Sequence, residues 1–416
     1  MVNNAVIYTA KCCHIKERTN VDKRSAGLVS VLTLSVLVSW SIGGVTAATY
    51  SVVDHGAKGD GNTDDTQAFT YAWNAVCSDA AAPTFLVPSG MTFLLGQVVF
   101  QGPCKSNVHV EISGNILRPS GLWSGGVVSW IVFNNVNGLS IASTGVIDGQ
   151  GSAYWTCRNN YQCNDAPSAL TVLNANGSRL SGLKVINSPS KHLIVGWSVG
   201  VTIDGINVTA PGDSPNTDGV FIQQSQHVSL SNSIIGTGDD CVAIGNGTLD
   251  VNVTGITCGP GHGISIGSLG SENSEAQVEQ IHVSNSRIFN ATNGLRIKTW
   301  QGGSGYAKNI SFEAINLAAV DNPILIDQYY CPRGDCALNQ SSSLQVSNVR
   351  YSDISGTTTG KIAITLNCSQ SVICTDISLQ NINIQSADAG GTVVANCTNV
   401  QGTAVGIVKP TVPCLN

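Results

Sequence analysis

The chain has 416 residues, 42% of them hydrophobic and only 11% charged, with 45 glycines and a formal net charge of −6. That balance excludes a disordered chain and disfavours a helix-rich one, and its acidity excludes a general binder of nucleic acid or anionic membrane. A chain of this length can form two globular domains, but a solenoid escapes that limit because its core grows along one axis.

The N-terminal part carries Lys11, Lys16, Arg18, Lys23 and Arg24, followed by an apolar stretch from Ala26 to the small residues Val45-Thr46-Ala47-Ala48. Residues 1–48 therefore read as a secretory signal, with a signal anchor as the alternative. The leader holds five basic and two acidic residues, so the remainder carries −9 and 12 cysteines. An even number of cysteines in an exported chain favours disulfides over metal ligands. Their spacing pairs Cys157 with Cys163, Cys331 with Cys336, Cys368 with Cys374 and Cys397 with Cys414, with Cys77–Cys104 and Cys241–Cys258 closing longer loops. Sequons at Asn176, Asn207, Asn246, Asn252, Asn290 and Asn309 fit the same route.

Residues 49–416 show no linker and read as one domain. Gly56-Ala57-Lys58-Gly59-Asp60-Gly61 lacks the ending of a phosphate loop, and Asp60, Asn62 and Asp64 lack the rest of a calcium loop, so this segment reads as a polar turn. It leads into the one stretch with a helical pattern, Asp65–Cys77, expected to cap the end of a solenoid. Beyond it come brief Val, Ile and Leu runs separated by Asn, Gly, Ser and Thr, among them 180–186, 201–208, 228–235, 251–256, 281–288 and 310–317. They are too short and frequent for helices, and a parallel β-helix with Asn and Gly at its turns accounts for them.

Three motifs share one register. Asn216-Thr217-Asp218-Gly219, Gly238-Asp239-Asp240-Cys241 and Gly261-His262-Gly263 place Asp218, Asp240 and His262 at intervals of 22 and 22 residues. Each is followed by the same alternation, Val220-Phe221-Ile222, Val242-Ala243-Ile244 and Ile264-Ser265-Ile266, so each period predicts one coil, ~4.8 Å from the next. Three crowded carboxylates raise one another's proton affinity and are retained for a metal, a counter-charge or acid–base work. After a longer coil, Leu295-Arg296-Ile297-Lys298 repeats the alternation and sets Arg296 and Lys298 on the outward face beside the acids. The set has the parts for glycoside hydrolysis, an acid and a water-activating or attacking carboxylate, and its cations suit a sugar that is itself acidic. His55, His109, His192, His227 and His282 match no ligand spacing and read as structural or surface residues.

In order and approximate spacing, these four motifs resemble the signature set of the polygalacturonase family of glycoside hydrolases. Asp54-His55-Gly56-Ala57-Lys58-Gly59-Asp60-Gly61, Ile147-Asp148-Gly149-Gln150-Gly151 and Ser188-Pro189 before His192 are similar to its plant branch. The resemblance implies a right-handed parallel β-helix that hydrolyses α-1,4 links of polygalacturonate with inversion, secreted to the plant cell wall. By motif, Asp239 resembles the general acid, Asp218 and Asp240 the pair that activates water, and His262 a group that tunes the acid or relays a proton. Arg296, Lys298 and Tyr330 resemble substrate-binding residues, with Asn216 beside them, although adjacent Tyr329 leaves the tyrosine register open. Asp218 and Asp240 one coil apart have the ~5 Å spacing of a retaining pair, so the role of Asp239 rests on the resemblance alone. No cofactor or metal, no nucleic-acid or membrane partner, and a monomer are expected. A calcium-dependent lyase, a wall protein without turnover, and rhamnogalacturonan or xylogalacturonan as substrate are the competing readings.

Overall fold

Short alternating runs with one apolar face bury that face most simply against the same run one coil on, and the strands of the described residues pair in this parallel way, with one isolated antiparallel bridge between Gln301 and Ser343. Val220 pairs with Val242, Val242 with Ile264, Ile264 with Leu295 and Leu295 with Ile324. The computed structural model describes residues 47–415 apart from Gly125, Tyr161, Asn164, Arg333, Asp335 and 337–342. The expected signal segment lies outside the described residues but for Ala47 and Ala48, and the described residues fall in the compact unit Val45–Asn416. Of the described residues, one 11-stranded sheet runs coil by coil from Val98–Gln101 to Val394–Thr398, and a 21-stranded sheet forms the rest of the wall. This is a right-handed parallel β-helix. Leu193, Val220, Val242, Ile264 and Leu295 stack inside it, each fully buried, a burial that stabilises by about 1.5–3 kcal/mol per side chain.

The apolar runs of the large sheet begin as pairs of short strands, such as Arg179–Ser181 and Lys184–Ile186, and fuse into long ones from Glu275–Phe289 onward. Between the short strands the backbone bends through a left-handed residue, Gly182, Gly205, Asn232 and Gly255 on successive coils, and Asn285 keeps that bend inside the first long strand. Glycine and asparagine tolerate that conformation, which explains their recurrence in the sequence.

The expected cap is present as α1 (Thr66–Cys77), which buries Phe69, Ala72, Trp73 and Val76. Trp73 packs at 5.0 Å from Phe100 and 5.5 Å from Phe133, closing the end of the first coils with aromatic rings. Its acidic entrance works differently from a simple N-cap. The Asp65 carboxylate turns back to accept the Lys58 and Gly59 amides at 2.6 and 3.1 Å, and Asp64 accepts the first helical amide, Thr66, at 3.0 Å. Asp65 thus organises the Gly-rich turn.

A second helix, α2 (Ser152–Asn159), corrects the expectation of a single one. It is anchored by the Cys157–Cys163 disulfide and by Trp155, whose Nε1 donates to the Ser188 carbonyl at 3.1 Å. All six expected disulfide pairs are present among the described residues, as suits an oxidising compartment. No described helix is long and apolar enough to cross a membrane.

Candidate active site

The register that stacks the core also stacks the turns before it. Leu193, Val220, Val242 and Ile264 are partners on consecutive strands, so the residues two places earlier form one column: Lys191, Asp218, Asp240 and His262. Main-chain bonds hold the turns together, His192 N–H to the Asp218 carbonyl, Gly219 to Asp240 and Cys241 to Gly263, each at 2.8 Å. Buried Thr217 adds a side-chain tie, its hydroxyl accepting the Gly238 amide at 3.0 Å. Only glycine fits at two of these positions. A Cβ on Gly238 would lie 2.1 Å from the Ser214 carbonyl, and one on Gly219 would lie 2.6 Å from the Cys241 carbonyl.

The turns open into a cleft of about 530 Å³ that contains every site residue expected from the sequence: Asp218, Asp239, Asp240, His262, Arg296, Lys298, Tyr330 and Asn216. Tyr330 faces the cleft with the Lys298 amine 5.3 Å from its ring centroid, whereas the Tyr329 hydroxyl turns away to accept the Gln370 amide at 3.2 Å. Asn216 takes the left-handed conformation, with φ 58°, and its amide nitrogen lies 3.5 Å from Asp239 Oδ2.

The three carboxylates have unlike surroundings. Asp240 is 1% exposed, and its oxygens accept from Arg296 Nη2 at 2.6 Å, Ser265 Oγ at 2.8 Å and Lys298 Nζ at 2.8 Å. Ser265 in turn accepts from Arg296 Nε at 2.9 Å. The expectation that the two cations stand ready for substrate is therefore refined: both are buried, and Asp240 engages them first. A buried charge is tolerated when paired in this way.

Asp239 is directed into the cleft, a point the sequence left open. Burial alone would raise its proton affinity, but the hydrogen bond and charge of His262, with Nδ1 3.0 Å from Oδ1, together with Lys298, bring it down to about 2. Asp218 goes the other way. Burial pushes it up to about 7, with Lys191 opposing and the neighbouring Asp239 and Asp240 adding to the rise. Taken alone, this polarity would give the acid role to Asp218.

His192, expected to be structural, lies behind Asp218. It is completely buried, and that burial lowers its pKa to about 4. The Ser188 amide donates to Nε2 at 3.2 Å, so Nδ1 carries the hydrogen and donates to the Asp218 carbonyl at 3.2 Å. Two more residues were not singled out from the sequence. Arg158 of α2 donates to Asn216 Oδ1 at 3.3 Å, and Lys191 lies 3.9 Å from Asp218. Lys191 precedes Asp218 by 27 residues, off the 22-residue interval, and aligning Leu193-Ile194-Val195 with Val220-Phe221-Ile222 would have exposed it.

Donor atoms of Asp239, Asp240 and His262 lie within 4.8 Å of one another. A metal there would have to displace Arg296 and Lys298 from Asp240, so the trio does not fit a carboxylate-held cation.

A parallel β-helix with paired acids, a histidine and cations in one cleft defines the class as a carbohydrate-cleaving enzyme on a solenoid. The chain belongs to the Glycosyl hydrolases family 28, whose model matches residues 77–408. It is 44% identical to a probable polygalacturonase of Arabidopsis thaliana, covering 88% of this chain and 80% of that one. It is also 40% identical to a polygalacturonase of Prunus persica, covering 92% of this chain and 98% of that one. Among solved structures it is similar to an endo-xylogalacturonan hydrolase from Aspergillus tubingensis, with a TM-score of 0.75 and 26% identity over 86% of this chain and 99% of that one.

Proposed function

We propose that this glycoside hydrolase cleaves α-1,4-galacturonosyl links of polygalacturonate with inversion, as a monomer secreted to the plant cell wall, residues 49–416 forming its single catalytic domain. One observation carries the proposal: three carboxylates share a cleft with Arg296 and Lys298, with one acid neutralised by cations and the other two set apart in proton affinity. The names of the relatives support the substrate class.

In this scheme Asp239 protonates the leaving oxygen. Its affinity for a proton is low while His262 and Lys298 face it, and His262, whose Nδ1 is 3.0 Å away, is the group placed to tune that affinity or relay a proton to it. Asp218 and Asp240 hold and activate the attacking water, and the raised affinity of Asp218 makes it the stronger base once ionised. Arg296, Lys298, Tyr330 and Asn216 orient the sugar, the cations offering donors not engaged with Asp240. The opposed affinities of the two acids favour a second assignment, with Asp218 as the acid.

Release of reducing ends from polygalacturonate at mildly acidic pH tests the activity, and a calcium-dependent product absorbing in the ultraviolet would replace hydrolysis by elimination. An aryl galacturonide whose leaving group needs no proton separates the two assignments. Asp239→Asn should retain far more activity on it than on polygalacturonate, while Asp218→Asn should be equally impaired on both. The reverse pattern exchanges the roles.

A further inference from the structure

The column of Asp218, Asp240 and His262 begins one coil earlier with Lys191, which the hydrolytic scheme leaves without a task. Its side chain is 28% exposed and lines the same cleft, with Nζ 5.4 Å from the Phe221 ring centroid. Its nearest carboxylate oxygen, Asp218 Oδ1, is 3.9 Å away, beyond hydrogen-bond reach. Arg296 and Lys298 are placed differently, 10% and 8% exposed in their side chains and closed on Asp240 at 2.6 and 2.8 Å. Lys191 is thus the more accessible cation, with ammonium donors still to offer.

Its position along the axis gives that availability a purpose. Arg296 and Lys298 belong to the strand Asn293–Thr299, which follows the acidic coils, and Lys191 belongs to the coil that precedes them. A polymer crossing the row of acids meets a cation before the cleavage point and two after it. A uronic acid polymer carries a carboxylate on each sugar, so both ends of this row can be met by charge-assisted hydrogen bonds.

We propose that Lys191 is a second carboxylate-recognition position of the cleft, taking the unesterified uronate on the opposite side of the cleavage point from Arg296 and Lys298. The inference rests on the polygalacturonate reading. It makes cleavage selective for two free acids flanking the link, because a methyl ester at either position removes the charge that the lysine or the arginine pair meets.

Lys191→Met keeps the aliphatic stem over Phe221 and removes the charge, and Lys191→Arg keeps the charge. On polygalacturonate, Lys191→Met should raise KM by roughly 10-fold or more, the scale of one hydrogen bond to a charged group, and any fall in kcat should be the part that follows loss of the charge opposing protonation of Asp218. Its preference for unesterified over methyl-esterified polygalacturonate should fall in parallel, and Lys191→Arg should recover most of both. An unchanged KM and an unchanged ester preference would overturn the proposal. Trigalacturonate titrated into Asp239→Asn, with and without Lys191→Met, separates this inference from the function it rests on. Weaker binding by the double variant supports Lys191 even if the wild-type chain shows no turnover, and equal binding overturns it whatever the turnover.

Discussion

Two columns of side chains run along this solenoid, and they use the same coil spacing for opposite ends. In the large sheet, Gly182, Gly205, Asn232, Gly255 and Asn285 occupy the bend of successive coils, all left-handed and none charged. Asn232 also donates from Nδ2 to Asp204 Oδ1 at 2.9 Å, so that stacking satisfies a polar group. In the cleft, Lys191, Asp218, Asp240 and His262 stack ionisable groups at the same ~4.8 Å repeat, where Lys191 and Asp240 act in opposite directions on the proton affinity of Asp218 between them. The first column is what the fold requires of a repeat. The second is tolerated because Arg296 and Lys298 supply counter-charge and His262 a hydrogen bond, and this contrast separates the periodicity of the cleft from that of the wall.

Substitutions in the two columns should therefore fail in different ways. The largest effect on turnover is expected from Asp239→Asn, a loss of about 10²–10⁴-fold with oligogalacturonate binding largely kept, measured by kinetics and titration. Asp240→Asn should cost both turnover and fold stability, because it leaves two buried cations against a neutral amide. Breaking a buried pair costs about 3–5 kcal/mol, which denaturant unfolding will read.

Asp218→Asn should show a stability change that depends on pH. Burial raises Asp218 from 3.8 to about 7, so the folded state binds its proton more tightly than the unfolded chain does. Its contribution to stability is complete below about pH 4 and is lost as pH rises through about 7. The variant should thus gain on wild type between those values. Asp239, brought down to about 2, has the opposite sign, its contribution being present above about pH 4 and lost as pH falls towards 2. Paired unfolding curves at several pH values check both signs. The smallest effect belongs to the structural column: Asn232→Val should cost about 1–2 kcal/mol for a left-handed β-branched residue and leave turnover unchanged.

Much of this was legible because a solenoid turns sequence spacing into spatial distance. The 22-residue interval placed Asp218, Asp240 and His262 in one column, and side-chain alternation along the strand brought Arg296 and Lys298 to the same cleft. The spacing lost Lys191, since its coil is longer than the interval that revealed the others. Helix α2 is only 8 residues, and its buried side chains, Tyr154 and Cys157, are too few to show helical periodicity. The closure of both cations on Asp240 and the direction of Asp239 depend on packing between coils, and no residue pattern encodes those distances.

The central claim, inversion by a water held between Asp218 and Asp240, is tested most directly by proton NMR of the reducing end newly formed from polygalacturonate, recorded before mutarotation. The expected first product is the β-anomer. Appearance of the α-anomer first would show that one of the stacked carboxylates attacks the sugar itself, and would contradict the account.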